Sequence, residues 1–340
     1  MATSQATIQL VFMRKLIRSP KYDGEIVYQQ RSDGPKSDVL KINGSGVELQ
    51  LSRRNRIKPE KAINSVTLRS LRTSYLYVAA TTGNAQPARE VKVSASSGGQ
   101  ASYDRESNSP SLPLFDWGFE SYKGYDKKLL MPRSVAEEMF QQTQTAKAAR
   151  RSVSFLLAAM QAPDNTDRLR HLWSAFNPLY QLYYLLTRGK VEIHDNICLN
   201  HLSEHIRSGK LVLERAESML ENIDEVEIAN GINWGFMKID SEKKSDGKKG
   251  GRNIVPVYIM TRQRFLEEAP QHTRMSFLLI RYLYFCRNKI VHGNVSYPVF
   301  SVQKSEEDIG ELLDLLTLAL FDMIERCAAI EREQGTALFP

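Results

Sequence analysis

Arg287, Asn288 and His292 stand together in R-N-K-I-V-H, at the end of the apolar run F-L-L-I-R-Y-L-Y-F-C and directly before Gly293. A histidine titrates near neutral pH and can act as general base or acid, while an arginine keeps its charge and can stabilise a phosphorane-like oxyanion. Such a pair suits cleavage of RNA by its own 2′-hydroxyl, a reaction that calls for no metal and no cofactor. On an ideal helix the five-residue offset sets Arg287 and His292 about 140° apart. One chain does not easily bring both to one point, so a site built across a dimer axis is the more natural geometry. Gly293 is placed to cap the helix, whose C-terminal carbonyls favour a protonated His292 and hence an acid role. The structural alternative is that both side chains only cap the helix and pair with acidic neighbours.

Two other constellations compete for attention. H-L-S-E-H at 201–205 has the form of an inverted zinc-peptidase motif, with His201 and His205 one turn apart, Glu204 as a would-be base, and His194 and Cys198 close by. A third ligand further along the chain has no sequence signal, and Gly209 ends the helix soon after, so an amphipathic helix is the better reading. R-R-N-R-I-K at 53–58 is the densest basic cluster; Arg53, Arg54, Arg56 and Lys58 are RNA-binding candidates, with Tyr75 and Tyr77 on a nearby expected strand as base-stacking platforms. The alternative is a solvated strand edge whose charges block aggregation. Trp173, Phe176, Tyr180, Tyr183 and Tyr184 read as core, and Asn177 on the same face needs a buried partner.

These residues sit in two regions of different pattern. From 1 to 113 short β-rich runs lie between turn residues at 7–13, 25–29, 47–51, 74–79 and 90–95, which predicts a small β-rich domain closed by a Gly, Ser and Pro linker at 96–113. From 132 to 340 the period becomes helical, with helices expected at 146–161, 167–186, 195–207, 210–223, 272–292 and 306–333. Short connections between them suggest an up-and-down bundle, interrupted by an exposed basic loop at 238–252. The fold class expected is therefore α+β.

With 42% apolar and 25% charged residues the chain has the composition of a folded protein rather than a disordered one. Cys198, Cys286 and Cys327 form no C-x-x-C pair, which fits a reducing compartment. The short apolar stretch 8–13 is followed, not preceded, by Arg14 and Lys15, unlike a secretory leader, and no run approaches the roughly 20 apolar residues of a membrane span. A cytoplasmic location with no membrane partner is expected. The net charge of +7 is uneven: residues 1–113 hold 17 Lys and Arg against 9 Asp and Glu. That excess suits a polyanion, nucleic acid first, although a solvated surface would show the same charge.

R-N-K-I-V-H-G resembles the motif of the HEPN family, an arginine, a polar neighbour and a histidine four to six residues later. L-W-S-A-F-N-P-L-Y at 172–180 is similar to the aromatic helix that precedes the motif in several branches, and the resemblance covers about 140–335. It implies a helical bundle that dimerises so that both protomers line one cleft, acting as a metal-independent endoribonuclease. It further implies that Arg287 stabilises the transition-state phosphate, Asn288 orients it and His292 acts as acid or base. Many relatives are toxins or defence effectors acting on RNA; others bind nucleotides, RNA or partner proteins without cutting. One toxin branch carries a modifiable tyrosine two residues after the histidine, where this chain has Asn294, with Tyr297 the nearest tyrosine. The basic N-terminal region would then recognise RNA, or an activating ligand or protein.

Overall fold

A computed structural model of the chain describes residues 4–12, 15–16, 21–29, 36–53, 57–83, 88–96, 99–104, 129–232, 234, 260–291 and 304–335. The protein is α+β, and its contacts gather into two compact units, Met1–Leu157 and Ala158–Pro340. The expected domains, 1–113 and 132–340, divide the chain by type of secondary structure; the units divide it by contact, and so place residues 132–157 with the sheet.

The first unit is built on a six-stranded antiparallel sheet of order β2-β3-β4-β1-β5-β6. Its strands are β1 (Ser4–Phe12), β2 (Tyr22–Gln29), β3 (Lys36–Asn43), β4 (Gly46–Arg53), β5 (Ala88–Ala95) and β6 (Gln100–Asp104). Two-residue periodicity sorts β1 into two faces: Ala6, Ile8, Leu10 and Phe12 are buried, while Thr7 and Val11 are half-buried and Gln5 and Gln9 exposed. Gly46 is required where β4 begins, because a Cβ there would meet the Leu10 carbonyl oxygen at 2.1 Å. β4 and β5 both pair with β1, so they run parallel to each other and need a long crossover between them. Helix α1 (Ser65–Thr82) supplies it.

That helix corrects one expectation. Residues 74–79 read as a strand from their aromatic and apolar content, yet they lie inside α1. The Asn64 side chain accepts from the backbone of Val66 and Thr67, Thr67 bonds back to the Asn64 N–H, and Gly83 closes the far end at φ 66°. Strong caps at both ends and burial of most of the helix surface override the local β preference. Tyr75 and Tyr77 are consequently core residues, 3% and 0% exposed, and not platforms for bases. Tyr77 packs on Phe140 and Tyr22, with ring centroids 5.2 and 5.9 Å away. β6 is a second difference, since it falls within the stretch expected to be a linker and pairs with β5.

Beyond the sheet come α2 (Arg133–Glu137), a 3-10 turn (Glu138–Phe140), α3 (Gln144–Met160), α4 (Asn165–Arg188), α5 (Asp195–Arg207), α6 (Glu214–Leu220) and α7 (Glu225–Gly231). One continuous helical rod follows, made of α8 (Gln271–Ser276), a π-helical stretch (Phe277–Tyr282) and α9 (Leu283–Val291); α10 (Lys304–Glu333) is the longest element described. The basic loop expected at 238–252 lies outside the described residues. In the second unit α4 and α10 run parallel. Asn165 approaches Gly310, Arg168 pairs with Asp314, and Gln334 Nε2 donates to the Leu186 carbonyl at 2.8 Å. Trp173, Phe176, Tyr180 and Tyr183 line the buried side of α4, as their spacing predicts. Among the described residues no helix is long and apolar enough to cross a membrane.

One buried carboxylate ties α10 to α6. Leu213, at the N-cap of α6, has no side chain able to accept, and Asp322 of α10 does so instead. It takes the backbone N–H groups of Arg215 at 2.9 Å and Ala216 at 3.2 Å, and the Arg215 guanidinium at 2.6 Å. Burial pushes the Asp322 carboxyl above its usual range despite the pull of Arg215. Removing one partner of such a pair strands the other, so Asp322→Ala should lower unfolding free energy by about 3 kcal/mol. A urea midpoint unchanged from wild type would show that this contact carries no stability.

Candidate functional site

Arg287 and Asn288 sit on α9, where the buried residues Leu283, Phe285 and Cys286 define the side turned into the second unit. Tyr284, Arg287 and Asn288 are spaced three and four residues apart, share the half-buried flank of the helix, and therefore project together. The position of that flank depends on the rod before it. In the π-helical stretch the Leu283 N–H bonds to the carbonyl of Leu278, five residues back, which inserts a residue into the turn and rotates everything after it. Single-turn π segments recur at functional sites because they re-aim side chains at the cost of a regular helix.

Tyr284 joins this flank to α4. Its ring lies 5.4 Å from that of Trp173, and it is among the groups that raise the Tyr180 phenol, after burial and Asp195. Tyr180 Oη donates to Asn177 Oδ1 at 2.9 Å, and Gln181 Nε2 donates to Asp195 at 3.0 Å. Asn177 thus finds its partner within its own helix. The aromatic helix at 172–180 and the helix bearing Arg287 are in direct contact through one pair of rings.

Within the flank Arg287 Nη1 donates to Asn288 Oδ1 at 2.9 Å. Asn288 fixes the guanidinium without neutralising it, since an amide oxygen carries no formal charge. Among the described residues Arg287 makes no ion pair. His292, Gly293, Asn294 and Tyr297 lie outside the described residues.

The basic cluster at 53–58 is divided. Arg53 forms a two-pronged pair with Asp38 of β3, whose side chain is fully buried, including Nη2 to Oδ2 at 2.8 Å. Its charge is balanced inside the sheet. Lys58 is exposed before the 3-10 turn Pro59–Lys61, and Arg54 and Arg56 lie outside the described residues.

His201 and His205 do meet, with ring centroids 4.0 Å apart, but α4 closes over them. Arg188 Nε donates to His201 Nδ1 at 3.3 Å, so the imidazole proton sits on Nε2 and is given to Thr187 Oγ1 at 2.8 Å. The Thr187 hydroxyl passes its own proton to the Tyr183 carbonyl. Tyr183 Oη meets His205 Nδ1 at 2.9 Å. Both nitrogens of His201 are occupied by protein, which leaves it no lone pair for a metal, and no group of three or more His, Cys, Asp or Glu among the described residues could hold one. Sequence spacing found the two histidines; it did not show that Tyr183, Thr187 and Arg188, one and two turns along α4, would saturate them.

Comparison with known proteins adds nothing to this geometry, because no family model, curated protein or solved structure matches the chain.

The histidine pair makes the fold sensitive to acid. Burial first, then His205 and Arg188, depress His201 from 6.5 to about 4, and burial depresses His205 in the same direction. Between these values the unfolded chain binds the proton and the folded one does not, so stability rises with pH there. The contribution is complete above about 6.5 and is lost as pH falls toward about 4. It amounts to at most about 3 kcal/mol for His201. Thermal unfolding followed across this range should show the loss in wild type, and His201→Gln should flatten it; an equally steep profile in the variant would assign the loss elsewhere.

Proposed function

We propose that the protein is a metal-independent endoribonuclease of HEPN type, acting as a homodimer on RNA in the manner of a toxin or defence effector. The observation that supports this most is the state of Arg287: half-exposed, oriented by Asn288, and countered by no carboxylate among the described residues. Arg53 and Arg215, which join strand to strand and helix to helix, are each paired with a carboxylate. A guanidinium left uncompensated beside aromatic residues suits a phosphate.

The reaction assigns each group a task. The 2′-oxygen attacks the adjacent phosphorus, the bond from phosphorus to the 5′-oxygen breaks, and a 2′,3′-cyclic phosphate remains. Arg287 stabilises the charge that builds on the non-bridging oxygens, and Asn288 holds the guanidinium in place. A proton must leave the 2′-hydroxyl and another must reach the departing 5′-oxygen. His292 takes one of these roles, and in a dimer its second copy is available for the other.

The test is cutting of labelled RNA in EDTA by wild type, Arg287→Ala and His292→Ala. Wild type should cut, and each variant should be slower by about 10²- to 10³-fold with its unfolding midpoint unchanged. Full activity in both variants would remove the assignment.

A further inference from the structure

Charge is unevenly placed among the described residues of the first unit. On the outward face of the sheet the register aligns Asp23, Lys41, Glu48, Gln9 and Lys92 in one row and Glu25, Val39, Gln50, Thr7 and Ser94 in the next. With Glu90, these rows carry four carboxylates against two lysines and no aromatic side chain. It is a poor surface for a polyanion. The two long helices of the same unit are the reverse. Neither α1 nor α3 contains an Asp or Glu, and together they carry Arg69, Arg72, Lys147, Arg150 and Arg151.

Two of these arginines converge. The Arg150 side chain turns back along the chain, and Nη1 donates to the carbonyls of Met139 at 2.5 Å and Gln141 at 3.2 Å. Those bonds hold the guanidinium next to Arg69 and leave Nε and Nη2 without a partner among the described residues. Burial, and then the nearby positive charge of Arg69, lower Arg150 to about 10. Neither makes an ion pair among the described residues. Arg72 lies one turn beyond Arg69 on the exposed side of α1, and Lys147 and Arg151 are exposed on α3. Capping the carbonyls at 139 and 141 explains where Arg150 points; it does not explain why Arg69 is near it with no acid paired to either among the described residues.

We propose that Arg69, Arg72 and Arg150 form a phosphate-binding track for the backbone of single-stranded RNA, on the helical side of the first unit. A single phosphate brings at most about two negative charges. Five cations spread along two acid-free helices instead match successive phosphates of a strand, whose contacts release counterions one by one. The proposal rests on the reading of the protein as acting on RNA for the identity of its ligand, and it assigns recognition to residues different from 53–58.

The experiment measures binding separately from cutting. A labelled 2′-O-methyl oligouridylate, whose blocked 2′-oxygens prevent strand scission, is titrated with the full chain by fluorescence anisotropy over a range of salt. Arg69→Gln/Arg72→Gln changes two exposed side chains and should fold normally. It should weaken binding about tenfold and reduce the slope of log K against log salt by about 1.4, or 0.7 per lost contact on a single strand. Arg150→Lys, which keeps the charge but loses the planar fork, should weaken binding less than Arg150→Gln does. Unchanged affinity and slope in the double variant would overturn the proposal, as would a wild type that fails to bind the strand. Competition by inorganic pyrophosphate at equal phosphate concentration would overturn the strand in favour of a small anion. A protein that cuts RNA while the double variant binds normally would lose this track and keep the cleavage reading.

Discussion

The contact between Trp173 and Tyr284 is the constraint on which the geometry of the candidate site depends. α4 buries an aromatic side, and α9 is held against it by a ring whose neighbours one turn on are Arg287 and Asn288. Burial of large aromatic surface is what makes such a contact hard to rearrange. A half-turn rotation of α9 would bring Leu283 and Cys286, both fully buried, to the surface and take Arg287 inside. The apolar side of the helix therefore sets where the polar side points. The π-helical stretch just before it adds the rotation that makes both requirements compatible.

Charge in the protein follows a division between compensated and uncompensated cations. Arg53, Arg168, Arg215 and Arg274 each meet a carboxylate, and these pairs join strand to strand or helix to helix. Among the described residues Arg69, Arg150 and Arg287 do not. Uncompensated arginines beside buried surface carry a cost in desolvation and repulsion that structure alone gives no reason to retain. These three cations lie on α1, α3 and the flank of α9, while the described rows of the sheet's outward face hold more carboxylates than lysines. Net charge alone suggests only a polyanion; under the proposed reading these side chains mark the surfaces that meet it.

How much of this was legible in the sequence depended on the range of the forces involved. Helix α5 follows its periodicity to the residue, 195–207, because its amphipathic pattern and its termination near Gly209 are local. Residues 74–79 were misread because S-Y-L-Y-V-A favours a strand locally, and the deciding signals, Asn64 with Thr67 and Gly83, lie outside that window. β3 and β6 escaped notice since K-S-D-V-L-K-I-N and Q-A-S-Y-D mix charge with short apolar alternation. The π-helical stretch is invisible in F-L-L-I-R-Y-L-Y-F-C, where nearly every position is apolar and an inserted residue leaves no gap in the pattern. Arg53 looked like a ligand for RNA because Asp38, its partner, is fifteen residues away on another strand. The motif at 287–292 was legible, but the ring contact beside Arg287 and Asn288 was not.

The central claim is that RNA is cut by its own 2′-hydroxyl with Arg287 and His292 in attendance. The most direct measurement is mass spectrometry of the ends left on a defined RNA after incubation with the protein in EDTA. Fragments ending in a 2′,3′-cyclic phosphate, with 5′-hydroxyl partners, are the predicted result. Fragments with 3′-hydroxyl and 5′-phosphate ends, or cutting that appears only when a divalent metal is restored, would contradict it.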